Sequence, residues 1–250
     1  MTMLRVFVGH EPRVAIQTNV CMSSIYEHAS APVSITPLVL RQLPIKRRGL
    51  TEFSFARFLV PWLCGFEGWA LFMDSDMIVR GDVAELFALA DPQFAVQVCG
   101  IKPDFERAAV MLFNCGHDQN RCLTPEAIET TNTPLHLLGW AYDENIGFLP
   151  ANWGHAVGYA RPRPLEQISL CHYTAGVPVW PQTADCEHAE AWHAARRAMC
   201  SVRTDWESLM GRSVHVAPGP AGRPLPKWKV PDGVVNESGT PGVDQVVDKA

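Results

Sequence analysis

The chain has 250 residues, 47% apolar and 9% aromatic, with a formal net charge of -5. This suits one domain with a substantial core, or one domain plus a small appendage, and excludes disorder throughout. The mild negative charge gives no global field for nucleic acid or anionic lipid, and no apolar run approaches the roughly 20 residues that cross a bilayer, so neither nucleic acid nor a transmembrane segment is expected.

The chain opens on residues 4–8, a nearly continuous apolar run that ends at Gly9-His10-Glu11-Pro12. This is the pattern of a buried strand, a turn and a helix with proline in its first turn. Because the start runs straight into a strand rather than a signal peptide, a cytoplasmic protein is expected. Val14, Ile16, Val20, Cys21 and Ile25 recur at loose helical spacing, and residues 33–38 read as a second strand. Strand, helix, strand is how a parallel α/β sheet begins.

Thr51 is placed to cap a helix through Val60, which Pro61 kinks or ends. On that helix Arg57 shares a face with Phe53, Ala56 and Val60, which points it inward, where a guanidinium requires a partner. Residues 70–73 are the clearest buried strand, 83–89 a following helix, and 94–98 and 110–113 further strands. Thr124-Pro125 opens a weak helix, and 168–173 are expected to be the last core strand. Residues 187–200 read as a helix with Ala189, Trp192, Ala195 and Met199 on one side, and 205–210 as a short addition. From His215 the sequence becomes Pro/Gly-rich without periodicity. The expected division is a domain over 1–212 and an extended or partly disordered tail over 213–250.

The eight cysteines include no Cys-x-x-Cys pair, which favours free buried thiols over a zinc site or a disulfide framework.

The chemistry centres on Leu71-Phe72-Met73-Asp74-Ser75-Asp76, where a buried strand delivers two carboxylates at its carboxyl end, the edge at which open α/β sheets bind ligands. Two carboxylates about 4 Å apart repel by roughly 4 kcal/mol at an effective dielectric near 20. A divalent cation removes that repulsion, and oxygen donors suit Mn²⁺ or Mg²⁺, which complete their shells with phosphate oxygens and water. The alternative is a polar turn.

The segment from Thr51 to Pro61, with its Phe53-Ser54-Phe55-Ala56-Arg57-Phe58-Leu59-Val60 core, followed by Ala70-Leu71-Phe72-Met73-Asp74-Ser75-Asp76, resembles bacterial glycosyltransferases related to glycosyltransferase family 8. Leu112-Phe113-Asn114-Cys115-Gly116, Tyr142-Asp143-Glu144-Asn145 and Cys171-His172-Tyr173-Thr174-Ala175-Gly176 fit the same order, over roughly residues 4 to 200. The resemblance implies a GT-A-like single domain with a mostly parallel twisted central sheet flanked by helices. It implies transfer of a sugar from a nucleotide-sugar donor, UDP-linked and with retention, to an acceptor hydroxyl on a glycan, lipid or protein.

The resemblance also implies roles for particular residues. His172 completes a metal site with Asp74 and Asp76. Arg57 orients Asp74 or touches the donor. Phe7, Val8, Gly9 and His10 lie beneath the nucleotide, with Gly9 permitting close approach, and Ser75, Gly116 and Gly176 join the donor-binding set. Asn114 faces the transferred sugar, and Asp143 and Glu144 meet it near the reacting carbon, although the family has Gln where Glu144 stands. The chain reads Gly176-Val177-Pro178-Val179-Trp180 where family 8 has Lys-Pro-Trp, so its phosphate clamp must come from the cation, backbone amides or another base. Two alternatives stay open: a nucleotide-sugar-binding protein with little turnover, and a phosphatase of the haloacid dehalogenase type, whose Thr or Val after the Asp-x-Asp is replaced here by Ile78.

Overall fold

The computed structural model of the protein describes residues 3–99 and 104–200. The short helix expected over 205–210 and the tail expected over 213–250 lie outside the described residues.

β1 (Leu4–His10) runs two residues further than its apolar core. A single 3-10 turn at Pro12–Val14 then leads into α1 (Ala15–His28). α1 buries Thr18, Val20, Cys21, Ser24 and Ile25, while Ile16 faces solvent, so the buried stripe differs from the one expected. Ser24 fits the stripe because its hydroxyl accepts the Val79 N–H at 2.9 Å. β2 (Val33–Val39) pairs in parallel with β1.

The helix expected from Thr51 is instead a 3-10 turn, Ala56–Leu59, followed by α2 (Val60–Leu63). Pro61 begins α2 rather than ending a helix, since a missing N–H and a fixed φ cost nothing in a first turn. β3 (Trp69–Met73), β4 (Met77–Val79), α3 (Val83–Ala88), β5 (Val96–Cys99) and β6 (Val110–Asn114) follow. The Asp82 side chain caps α3 by accepting from Ala84 N–H, and Thr124 caps α4 (Pro125–Thr130) through Ala127 N–H. Three strands had not been expected, β4, β7 (Ile146–Leu149) and the two-residue β8 (His155–Ala156). β9 (Leu170–His172) and α5 (Ala189–Cys200) complete the described chain.

The central sheet has the order β2-β1-β3-β6-β5-β7, in which only the two pairings of β6 are antiparallel. Phe7, Phe72, Met111 and Phe113 enter one core, and Val6, Val8, Leu71, Met73 and Leu112 enter another on the opposite face. Covering both faces explains why these strands read as continuous apolar runs rather than alternating ones.

β9 corrects the expectation of a last core strand. It belongs to a separate small sheet, β4-β9-β8, packed with Trp192 of α5 in a third cluster. Among the described residues no helix is long and apolar enough to cross a membrane. The seven cysteines whose side chains are described are all free thiols. Burial pushes the Cys99 thiol up to about 12 and raises that of Cys21 as well.

Candidate functional site

Two registers build the site. β1 and β3 run parallel, with Val8 opposite Met73, so Gly9, His10 and Asp74 emerge at one sheet edge. β4 and β9 run antiparallel with Met77 opposite His172, and Tyr173 N–H donates to the Asp76 carbonyl at 2.9 Å. A residue nearly a hundred positions away in sequence is thereby set beside Asp76, with His172 Nε2 3.2 Å from Asp76 Oδ1. One ligand atom from each of Asp74, Asp76 and His172 lies within 4.8 Å of the others.

The three side chains are well shielded, His172 most and Asp76 least. Two carboxylates and an imidazole form a hard, mostly oxygen set of the kind that holds Mn²⁺ or Mg²⁺.

Arg57 points inward, within a 3-10 turn whose Ala56, Phe58 and Leu59 are buried as well. Its Nη2 lies 2.9 Å from Asp74 Oδ1 and its Nη1 3.4 Å from Oδ2, and Nη1 also donates to the Ala108 carbonyl at 2.7 Å. The guanidinium lies 5.0 Å from the Phe72 ring centre and 5.4 Å from that of Phe53. A charge paired, hydrogen-bonded and flanked by aromatic faces is one the interior tolerates. Part of the repulsion between the two aspartates is therefore already offset within the protein.

Ser75, fully buried between the aspartates, accepts a hydrogen bond from Gln17 Nε2 at 2.9 Å. Gln17 was not singled out from the sequence, because nothing marks it apart from other polar residues of α1. Glu11 was missed for the same reason. It is buried, pairs with Arg13, and its Oε2 accepts the Glu52 N–H at 3.2 Å, which ties the 51–57 segment to the end of β1.

Gly9 corrects another expectation. A Cβ there would lie 2.4 Å from Phe53 Cδ2, so it is the Phe53 ring that requires glycine at this position. Phe7 and Val8 send their side chains into the two cores, which leaves His10 as the partly exposed side chain at that strand end. Gly176 has φ of 115°, a conformation that L side chains rarely adopt, and it turns the chain after β9 toward Trp180. Beside this turn lies a cavity of about 390 Å³, whose wall includes Arg13, Gln17, Val177, Trp180, Trp192 and Arg196. Gln17 is common to the cavity and the aspartate turn.

Asn114, Gly116, Asp143 and Glu144 are not brought to this site. β6 runs antiparallel to β3, with Val110 opposite Met73 but Asn114 opposite Trp69. Five strand steps of roughly 3.4 Å put Asn114 about 17 Å along the sheet from the level of Asp74. Asn114 and Gly116 instead line a shallow depression with Pro92, His117 and Asp118. Asp143 and Glu144 are exposed in the turn before β7, whose Ile146 is level with Val96 and through it with Phe113, so they occupy the far edge too. The backbone that occupies the near end of β6 is Ala108-Ala109, with the Ala109 carbonyl accepting the Asp74 N–H at 3.0 Å.

No family model matches the chain. In structure it is similar to the bifunctional glycosyltransferase WbbM, with a TM-score of 0.60 and 12% identity over 83% of this chain and 51% of that one. It is also similar to the glycosyltransferase GlyE of Streptococcus pneumoniae TIGR4, with a TM-score of 0.55 and 18% identity over 84% of this chain and 62% of that one. The chain thus spans about half of WbbM and under two thirds of GlyE. The galactosyltransferase LgtC, solved with donor and acceptor sugar analogs, superposes with a TM-score of 0.55 and 12% identity over 82% of this chain and 99% of its own. These likenesses establish the fold as that of GT-A glycosyltransferases, with a mostly parallel central sheet between helices. In sequence, Protein CDI of Arabidopsis thaliana is 35% identical over a 219-residue alignment that covers 75% of this chain and 84% of the relative. With that identity over most of the relative's length, the chain belongs to the family of Protein CDI.

Proposed function

We propose that this protein is a metal-dependent glycosyltransferase related to glycosyltransferase family 8. It moves a sugar from a UDP-sugar, with retention of configuration, to a hydroxyl of a glycan, lipid or protein acceptor in the cytoplasm. The transferase domain extends to about residue 212, with 213–250 as an appended tail. The observation that carries this reading is the convergence of Asp74, Asp76 and His172 at the ligand-binding edge of a GT-A sheet.

Mn²⁺ or Mg²⁺ held by these three residues supplies Lewis-acid neutralisation of a diphosphate leaving group. Arg57 fixes the Asp74 carboxylate from behind, so that its orientation is set before any donor arrives. Gln17 holds Ser75 and with it the turn that separates the two aspartates. Gly176 gives the chain its turn away from His172 toward the cavity wall. The nucleotide occupies the adjoining cavity, where Arg13 and Arg196 provide the cationic side chains that the absent lysine would have given.

No catalytic role is assigned to Asn114, Asp143 or Glu144, since all three sit at the opposite sheet edge. Their position favours a second reading, a nucleotide-sugar-binding protein with little turnover. A transfer and hydrolysis assay with a panel of UDP-sugars, with and without Mn²⁺, separates the two. Transferase function predicts Mn²⁺-dependent UDP release that falls at least about 100-fold in Asp76→Ala, the scale at which loss of one electrostatic stabiliser is felt. Full activity in correctly folded Asp76→Ala rules out the proposed site, and metal-dependent binding without turnover selects the second reading.

A further inference from the structure

A second group of metal-ligating side chains lies away from the aspartate turn. His155 stands on β8, while Glu187 and His188 lie just ahead of α5. One ligand atom from each falls within 4.8 Å of the others. His155 Nε2 is 3.0 Å from Glu187 Oε2, and His188 Nε2 is 3.1 Å from Glu187 Oε1. The Arg163 carbonyl oxygen is 3.0 Å from His188 Nε2, and the Arg163 N–H donates to Glu187 Oε1 at 3.1 Å.

Ordinary hydrogen bonding serves this arrangement poorly. His188 Nε2 faces two oxygen acceptors, the Glu187 carboxylate and the Arg163 carbonyl, and can offer them one proton. A cation satisfies every donor atom at once. Bonds of about 2.0–2.2 Å arranged as a tetrahedron put neighbouring ligand atoms roughly 3.3–3.6 Å apart, a few tenths of an ångström beyond the spacings found here. His155 is almost fully buried, with Nε2 turned to the Glu187 carboxylate. His188 has φ of 58°, a left-handed conformation uncommon outside glycine, and it is held there as its carbonyl accepts the Tyr173 hydroxyl at 2.8 Å. That backbone turn aims the imidazole at the carboxylate. His188 also lines a groove with Glu27, His28 and Glu190.

We propose that His155, Glu187 and His188, with the Arg163 carbonyl as a fourth donor, form a structural divalent-cation site suited to Zn²⁺. Two imidazoles and one carboxylate are a borderline donor set that favours Zn²⁺ over the hard Mg²⁺, and four protein donors leave no open catalytic position. The ion would tie β8 to the start of α5. β8 pairs with β9 through His155 opposite Cys171, the neighbour of His172, so the tie secures the sheet that carries a ligand of the first site. The two sites are nonetheless built from different residues and are separable by mutation.

The test uses the full chain, stripped with EDTA and titrated with Zn²⁺ against a chelating dye, with bound zinc counted by mass spectrometry and thermal stability followed in parallel. Glu187→Gln preserves shape and keeps one acceptor oxygen while removing the charge, and His188→Asn tolerates the left-handed backbone. Loss of an outer-shell partner already weakens metal binding ~10–100-fold, so either variant should weaken zinc binding by more than about 100-fold and abolish the zinc-induced rise in Tm. Asp76→Ala should keep the tight zinc. The proposal is overturned if the wild-type chain binds no zinc tightly, if zinc binding is unchanged in folded Glu187→Gln and His188→Asn, or if Asp76→Ala is the variant that loses it.

Discussion

Asp74 meets two demands at once, since it must stay ionised in a shielded turn and must keep its oxygens where a cation can reach them. Arg57 answers both, because a forked guanidinium holds a carboxylate in one plane without removing all of its acceptor capacity. Truncation to Arg57→Met removes the guanidinium partner of the shielded Asp74 carboxylate, and should cost about 3–5 kcal/mol in urea denaturation. Arg57→Met/Asp74→Leu should recover part of that loss; a cost under about 1 kcal/mol for the single variant would mean that the pair is solvent-screened.

His136 offers a second test at this scale. Burial, then the charge of Arg57, hold its pKa down at about 4 from an ordinary 6.5. The unfolded chain therefore binds this proton more readily, and stability present above pH 6.5 is lost as pH falls toward 4. His136→Gln should show a shallower loss of stability over that window in chemical denaturation at a series of pH values.

The inward Arg57 was legible from the apolar residues around it, although the helix whose spacing suggested it is a 3-10 turn. The reason for Gly9 was not legible, because Phe53, whose ring fills the space, arrives from a separate segment.

At the scale of elements, the apolar runs of β1, β3 and β6 were readable, since burial on both faces removes any need for alternation. β7 and β8 were not. Ile146–Leu149 contains a glycine and an exposed phenylalanine, and β8 has two residues, too few for any period to show. The larger miss concerns direction. Leu112-Phe113-Asn114-Cys115-Gly116 looks like a strand delivering a polar residue to the site, but strand direction cannot be read from composition. In the antiparallel β6 the segment delivers Asn114 to the wrong edge. The consequence is testable: Asn114→Ala and Glu144→Gln should each leave Mn²⁺-dependent UDP affinity within about twofold, or ~0.4 kcal/mol, of the wild-type value in titration calorimetry. A loss of tenfold or more in either would place these residues in the donor site and contradict the edge assignment.

For the whole molecule, the determining feature is that two separate sheets share one ligand cluster. The central sheet presents Asp74 from β3, the small sheet presents His172 from β9, and Asp76 lies on the short link between β3 and β4. Sequence could supply both ends of this arrangement, an Asp-x-Asp after a buried strand and a histidine at a later strand end. It could not supply their meeting, which depends on the pairing of Met77 with His172. The GT-A likeness accounts for the frame, and the cluster accounts for what the frame positions. Titration calorimetry of UDP into the full chain, with and without Mn²⁺, in wild type and in Asp76→Ala, addresses that cluster most directly. The account predicts that Mn²⁺ tightens UDP binding at least about tenfold, or ~1.4 kcal/mol, in the wild type and not in the variant. Equal UDP affinity in all four combinations would contradict it.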